Sequence, residues 1–340
     1  MKNLRKCSLA FAVLFSCSII VQSFVPFQPS TNTVDTETRS VATATENTNI
    51  ATYYFYNQLS KSPMAKKFYN ALVAMEKEGL LKSGTDEYDL IESGVLTEEE
   101  VMRYINNADS TILVAFGAAR DAFIFDNPSL FYVNADNFSV TIGTKSGKAY
   151  ATLGTGRDDS YSITEEWKKK PEVVQEAIDA YQKKVKEIAE GAKTKGESVV
   201  DRIAYVNEWL CNNVEYSFCE KHENGKDVYP DGKLFCDLRG TAYGSLINGK
   251  GVCESFARGF KAVMDELNIP CVLVYGTGAG EPHMWNYVQI DSRWYAIDTT
   301  WNNTSKSSLR YYLKGKVDFE HDHISSGILS DFEFVYPQLS

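Results

Sequence analysis

Three residues within the stretch 249–303 have the types and the order needed for covalent chemistry: Cys253, His283 and Asp298. A thiol, an imidazole and a carboxylate can act as a sulfur nucleophile, its base and the group that orients the base. Each also has a plain structural reading. A free cysteine is usually a small buried hydrophobe, a lone histidine usually a satisfied core residue, and an aspartate often a turn or strand-end carboxylate. The joint arrangement is what favours chemistry.

The elements that must position these residues are legible. Gly249 and Gly251 interrupt structure, and from Cys253 the apolar residues Phe256, Ala257, Phe260, Val263, Met264 and Leu267 fall at helical spacing. Asn268 and Ile269-Pro270 end that helix. Cys253 therefore sits at a helix start, where free backbone N–H groups and the helix dipole favour a thiolate. CVLVYG (271–276) reads as a buried strand, and HMWNYVQI (283–290) and RWYAIDTTW (293–301) as two more, flanking Asp291-Ser292. A two-residue turn pairs Ile290 with Arg293. It then puts Asp298 opposite Trp285, one diagonal step from His283 on the same face. A three-residue turn sends His283 and Asp298 to opposite faces.

GKGVCESFARGF, NIPCVLVYG, HMWNYV and WYAIDTTW together resemble the core of the transglutaminase-like superfamily, whose members share a papain-like arrangement. The resemblance extends more weakly through VNEWLCNNVEY (206–216), LRGTAYGSL (238–246) and RYYLKG (310–315). It implies Cys253 as nucleophile, His283 as base and Asp298 as orienter. It implies an α+β fold with a papain-like, transglutaminase-like core: a nucleophile helix packed on an antiparallel sheet, preceded by a mixed helical and short-strand domain. The FYNAL…DNPSLFYV pattern upstream resembles the amino-terminal region of secreted bacterial members. The oxyanion of an acyl-transfer step would be met by the backbone N–H of Cys253. Tyr243 and Trp285 are further candidates for oxyanion or substrate contacts.

The 340 residues carry a net charge of −10, which argues against a nucleic-acid or anionic-membrane partner. MKNLRK followed by CSLAFAVLFSCSIIVQSF reads as a secretory signal over 1–23. Acylation at Cys17 and an uncleaved anchor are the alternatives. Residues 24–50, rich in Thr, Ser and Asn, read as a disordered tether. The expected location is secreted or cell-surface. Without the signal the cysteines are Cys211, Cys219, Cys236, Cys253 and Cys271, an odd set that suggests a free thiol. Cys219 and Cys236 bracket a polar loop and could bridge it.

An amino-terminal α+β domain is expected over 51–193 and the catalytic domain over 194–340. Helical spacing over 51–81 breaks at Ser62-Pro63. Thr97 caps a helix that runs towards Arg120, with three acids in its first turn. LFYV, NFSVTIG and KAYATLG (130–154) read as short strands. Residues 164–190 form an amphipathic helix with Val174, Ile178, Tyr181, Val185 and Ile188 as its stripe, and a second helix starts at Val199. Residues 217–237 read as a polar loop. DFEHDH (318–323) sets His321 and His323 beside acids, but this spacing makes a weak metal motif. No metal or cofactor is expected.

The expected function is cysteine-dependent acyl transfer at peptide or carboxamide bonds, with a protein, peptide or cell-wall peptide as substrate. Water would give a peptidase or amidase, and an amine would give a crosslink. The alternative is an extracellular binding module that keeps the scaffold without catalysis.

Overall fold

The computed structural model describes residues 53–340, apart from 84–87, 134–137, 156–170, 218–220, 224–225, 229–237, 306–308 and 330–331. The export signal, the tether and the Cys219–Cys236 bridge lie outside the described residues.

The fold is α+β. Its central element is the helix Cys253–Glu266. Phe256, Phe260, Val263 and Met264 are completely buried along one stripe. Burial of each such side chain contributes about 1.5–3 kcal/mol relative to exposure. The stripe rests on a four-stranded sheet in the order Arg293–Ile297, Glu281–Ile290, Cys271–Gly278, His323–Ser325. All neighbours in this sheet are antiparallel. Asn286 ties sheet to helix by donating to the Ala257 carbonyl at 3.0 Å. Glu254–Arg258 and Lys261–Asp265 pair along the helix. Arg258 also donates to the Ile124 carbonyl, and buried Lys261 to the Cys271 carbonyl.

The hairpin turn is two residues long, with Arg293 opposite Ile290. Asp291 and Ser292 both adopt positive φ, 48° and 65°, the twist that suits a tight hairpin. The last strand, His323–Ser325, joins the far edge and pairs with Gly276–Gly278. Gly276 is required there, since a Cβ would run into the Ile324 carbonyl and into Trp285.

The amino-terminal half packs onto the same core. The break at Ser62-Pro63 is present, with Ser62 capping the helix Pro63–Lys77. Thr97 and Glu100 form a capping box on Glu98–Asn107. The expected single helix towards Arg120 is in fact two. Ala108 turns left-handed, and a new helix, Thr111–Asp126, follows. That helix is buried almost all round, so apolar spacing could not reveal the break. Ser139–Lys145 and Lys148–Gly154 form a hairpin, but residues 130–133 are turns rather than a strand. Their apolar side chains, Leu130, Phe131 and Tyr132, are buried without ladder pairing. The long helix is Pro171–Lys195 and its expected stripe is buried. Part of the expected polar loop forms a short hairpin, Lys221–Glu223 with Lys226–Val228. Asp126 accepts from the backbone N–H groups of Phe55 and Tyr56 and from the Tyr69 hydroxyl. Phe55 then stacks edge-on against Phe334 and Tyr336. No described helix is long and apolar enough to cross a membrane.

Candidate active site

Cys253 opens its helix behind Val252, which offers no side-chain cap. First-turn N–H groups are therefore held by backbone: Ser255 and Phe256 both donate to the Val252 carbonyl. The Tyr216 phenol lies near the backbone of Cys253. A short parallel pairing, Glu215–Tyr216 with Lys250–Gly251, brings Tyr216 to this spot. Sequence reasoning missed Tyr216, although it lies in the VNEWLCNNVEY segment. A two-residue parallel pair leaves no periodicity to detect. Burial, followed by the negative charges of Cys253 and Asp298, raises the Tyr216 phenol, so it stays neutral and keeps a proton to donate.

His283 sits on the strand Glu281–Ile290, 7% exposed. Its Nε2 lies 2.8 Å from Asp298 Oδ2. Cys253 lies near enough to the same ring to favour its charged form, and with Nε2 on Asp298 the remaining ring nitrogen is Nδ1. Trp301 stacks over the imidazole at 5.3 Å. Gly278 lets both approach, since a Cβ there would meet His283 Cδ2 and Trp301 Cζ2, each at 2.9 Å.

Asp298 was expected on a strand, but it follows the strand's end and caps the helix Thr299–Thr304. Its Oδ1 accepts the N–H groups of Thr300 at 2.9 Å and Trp301 at 3.0 Å. The aromatic and β-branched run WYAIDTTW looks like one strand, and the cap overrides that propensity. Asn302 and Asn303 pin this helix down by bonding Asn207 and the carbonyls of Cys211 and Val214.

Burial opposes charge on His283, yet the Asp298 carboxylate, its hydrogen bond and the thiol together raise the imidazole well above its ordinary value. Burial also opposes charge on Asp298, and the His283 charge, both histidine hydrogen bonds and the Trp301 N–H together lower it. The pair is therefore an imidazolium and a carboxylate.

Tyr243 lies on the short helix Ala242–Leu246, its ring tilted against Phe131 at 4.7 Å. Trp285, 1% exposed, packs behind the site against His323, Phe319 and His283. That burial gives it a supporting place rather than a substrate-facing one. Cys211, Cys253 and Cys271 are free thiols. Burial and then the Asp298 charge push Cys211 up to about 12, and burial pushes Cys271 higher still.

His323 also reaches the site, where sequence reasoning gave it only to a weak metal motif. His283, Asp298 and His323 each bring a ligand-type atom within 4.8 Å of the others. Such a set could in principle seat a metal ion. Here, however, the two rings share one carboxylate oxygen by direct hydrogen bonds, inside an aromatic wall. We read the cluster as a hydrogen-bonded network.

Residues 182–299, about a third of the chain, match the family model of the transglutaminase-like superfamily, which includes cysteine peptidases and transglutaminases. That stretch contains Cys253, His283 and Asp298. The chain is similar to kyphoscoliosis peptidase of Mus musculus, 24% identical over 151 residues, covering 38% of this chain and 21% of that protein. The Homo sapiens counterpart is 24% identical over 146 residues, covering 36% and 20%. The match thus spans about a fifth of these relatives' length. Among solved structures, one is described as a TGase, with TM-score 0.32, 19% identity and coverage of 49% of this chain and 46% of that one. Another is a candidate cysteine protease from Cytophaga hutchinsonii, with TM-score 0.29, 15% identity and coverage of 55% and 65%.

Proposed function

We propose that this chain is a secreted or cell-surface thiol enzyme that transfers acyl groups from peptide or carboxamide bonds. The observation that carries the reading is the His283 Nε2–Asp298 Oδ2 contact at 2.8 Å, with Cys253 near the same ring. The family match over 182–299 supports it.

In this mechanism the proton of the Cys253 thiol already rests on His283, and the thiolate Sγ attacks the carbonyl carbon. The oxyanion is met by the Cys253 N–H, with the nearby Tyr216 O–H as a second donor. His283 then gives its proton to the departing nitrogen as the thioester forms. Asp298 stays ionised throughout and holds the ring in place. Water or an amine releases the acyl group. We favour water, with peptides or cell-wall peptides as substrates.

The test is incubation with a glutamine peptide, with and without a labelled primary amine, beside Cys253→Ala. Net hydrolysis that disappears in C253A is expected. Label incorporation without hydrolysis would make the enzyme a crosslinker. Full turnover in C253A would remove the thiol mechanism altogether.

A further inference from the structure

Asp298 faces two imidazoles, and the triad uses one of them. His323 Nε2 lies 3.2 Å from the same Oδ2 that His283 holds. Its other nitrogen, Nδ1, lies 2.6 Å from Asp322 Oδ1. Both ring nitrogens of His323 therefore face carboxylate oxygens, which only accept when ionised. The ring is 1% exposed. It stacks on Phe319 at 4.0 Å, with Trp301 at 4.4 Å, Trp285 at 5.0 Å and Tyr311 at 5.5 Å. Aromatic rings around such a donor add a favourable interaction with positive charge. Asp322 is itself fixed, since the Tyr311 hydroxyl donates to its other oxygen at 3.0 Å. A histidine that merely filled the core would not link two carboxylates, one of them in the triad.

We propose that His323 is a positioning residue of this site, which donates to Asp298 Oδ2 in competition with His283 and so sets how firmly His283 keeps its proton. The inference rests on the triad reading above. A buried carboxylate raises the proton affinity of the imidazole it faces. A second donor on the same oxygen withdraws part of that hold. No proton passes through His323. The proton on His283 passes to the leaving nitrogen, while Asp298 stays ionised. The other titratable groups facing the cluster are Cys253 on its helix, Cys211 on Val199–Asn213, Tyr216, Tyr311 and, through Asp322, His321. Among the described residues, His283 and His323 alone have side chains bonded to Oδ2.

The experiment is a ring-nitrogen NMR titration of the full chain, with mass-mapped iodoacetamide labelling of Cys253 beside it. In the wild type both nitrogens of His323 should carry protons at neutral pH. His323→Phe fills the aromatic box without a donor. It should raise the pH at which His283 loses its proton by about one pH unit, and His323→Gln, which keeps an N–H, should restore most of that change. Asp322→Asn, at a side chain 21% exposed, should move His283 the same way by less. If H323F does not fold, D322N and the wild-type spectrum decide. A bare nitrogen on His323, or a His283 titration that neither H323F nor D322N moves, overturns the proposal. Should Cys253 label no faster than a model thiol, the triad reading fails, while the ring nitrogens still report whether the two histidines share a carboxylate.

Discussion

His283 and Asp298 meet through the hairpin that joins them: Ile297 stands opposite Asn286, and the next residue turns its carboxylate back onto His283 at 2.8 Å. The contact depends on a turn of two residues. Inserting a glycine between Asp291 and Ser292 should shift the register by one position and send Asp298 to the other face. Cys253 labelling at mildly acidic pH should then fall to the rate of an ordinary thiol while the circular dichroism of the helices persists. Fast labelling in the insertion variant would show that the register does not set the pair.

The same pair should shape stability against pH. His283 holds its proton more tightly folded than unfolded, where its value is 6.5. Its contribution is therefore fully present below pH 6.5 and lost as pH rises through the raised folded value. Asp298 is lowered from 3.8, so its contribution is present above pH 3.8 and lost as pH falls through the lowered folded value. Thermal unfolding should show a plateau between those flanks. Asp298→Asn should flatten both flanks and reduce kcat/KM by about 10³–10⁴. An unaltered pH profile in D298N would mean that the ion pair contributes nothing to folding.

Gly276→Ala tests the sheet edge. The added Cβ meets the Ile324 carbonyl, so the strand His323–Ser325 must move. The expected cost is about 1–3 kcal/mol by chemical denaturation. Because that strand carries His323, G276A should also shift the His283 titration in the direction of H323F. A loss of stability with His283 unmoved would separate the edge strand from the site.

Asp126→Ala tests the amino-terminal clamp. A buried and a partly buried backbone N–H and a phenol lose their acceptor. Each unsatisfied donor costs about 1–3 kcal/mol. The variant should unfold earlier, and proteolysis should begin near Tyr54–Gln58, the segment whose Tyr54 and Gln58 side chains bond the Val335 carbonyl. An unaltered midpoint would show that Phe55 packing alone holds this end.

Much of the site could be read from the chain because its parts are local. A helix start, an apolar strand and a tight hairpin each leave a pattern within about a dozen residues. Thr97 with Glu100, and Ser62 before Pro63, were legible for the same reason. Three parts were not. Tyr216 arrives through a parallel pairing with Lys250–Gly251, far along the chain. His323 arrives by joining a sheet edge from an acid-rich turn that resembles any solvated loop. Asp298 was legible as a residue but not as a helix cap, because its aromatic and β-branched neighbours suit a strand equally well.

The carboxylate that would steady the imidazole also holds the first turn of Thr299–Thr304, so one group keeps both the reactive centre armed and a stretch of backbone wound. On the triad reading, fraying of that turn would disarm the sulfur. On the reading proposed here, a copy still emerging from export, or one starting to melt, would be harmless to its neighbours until it had finished folding.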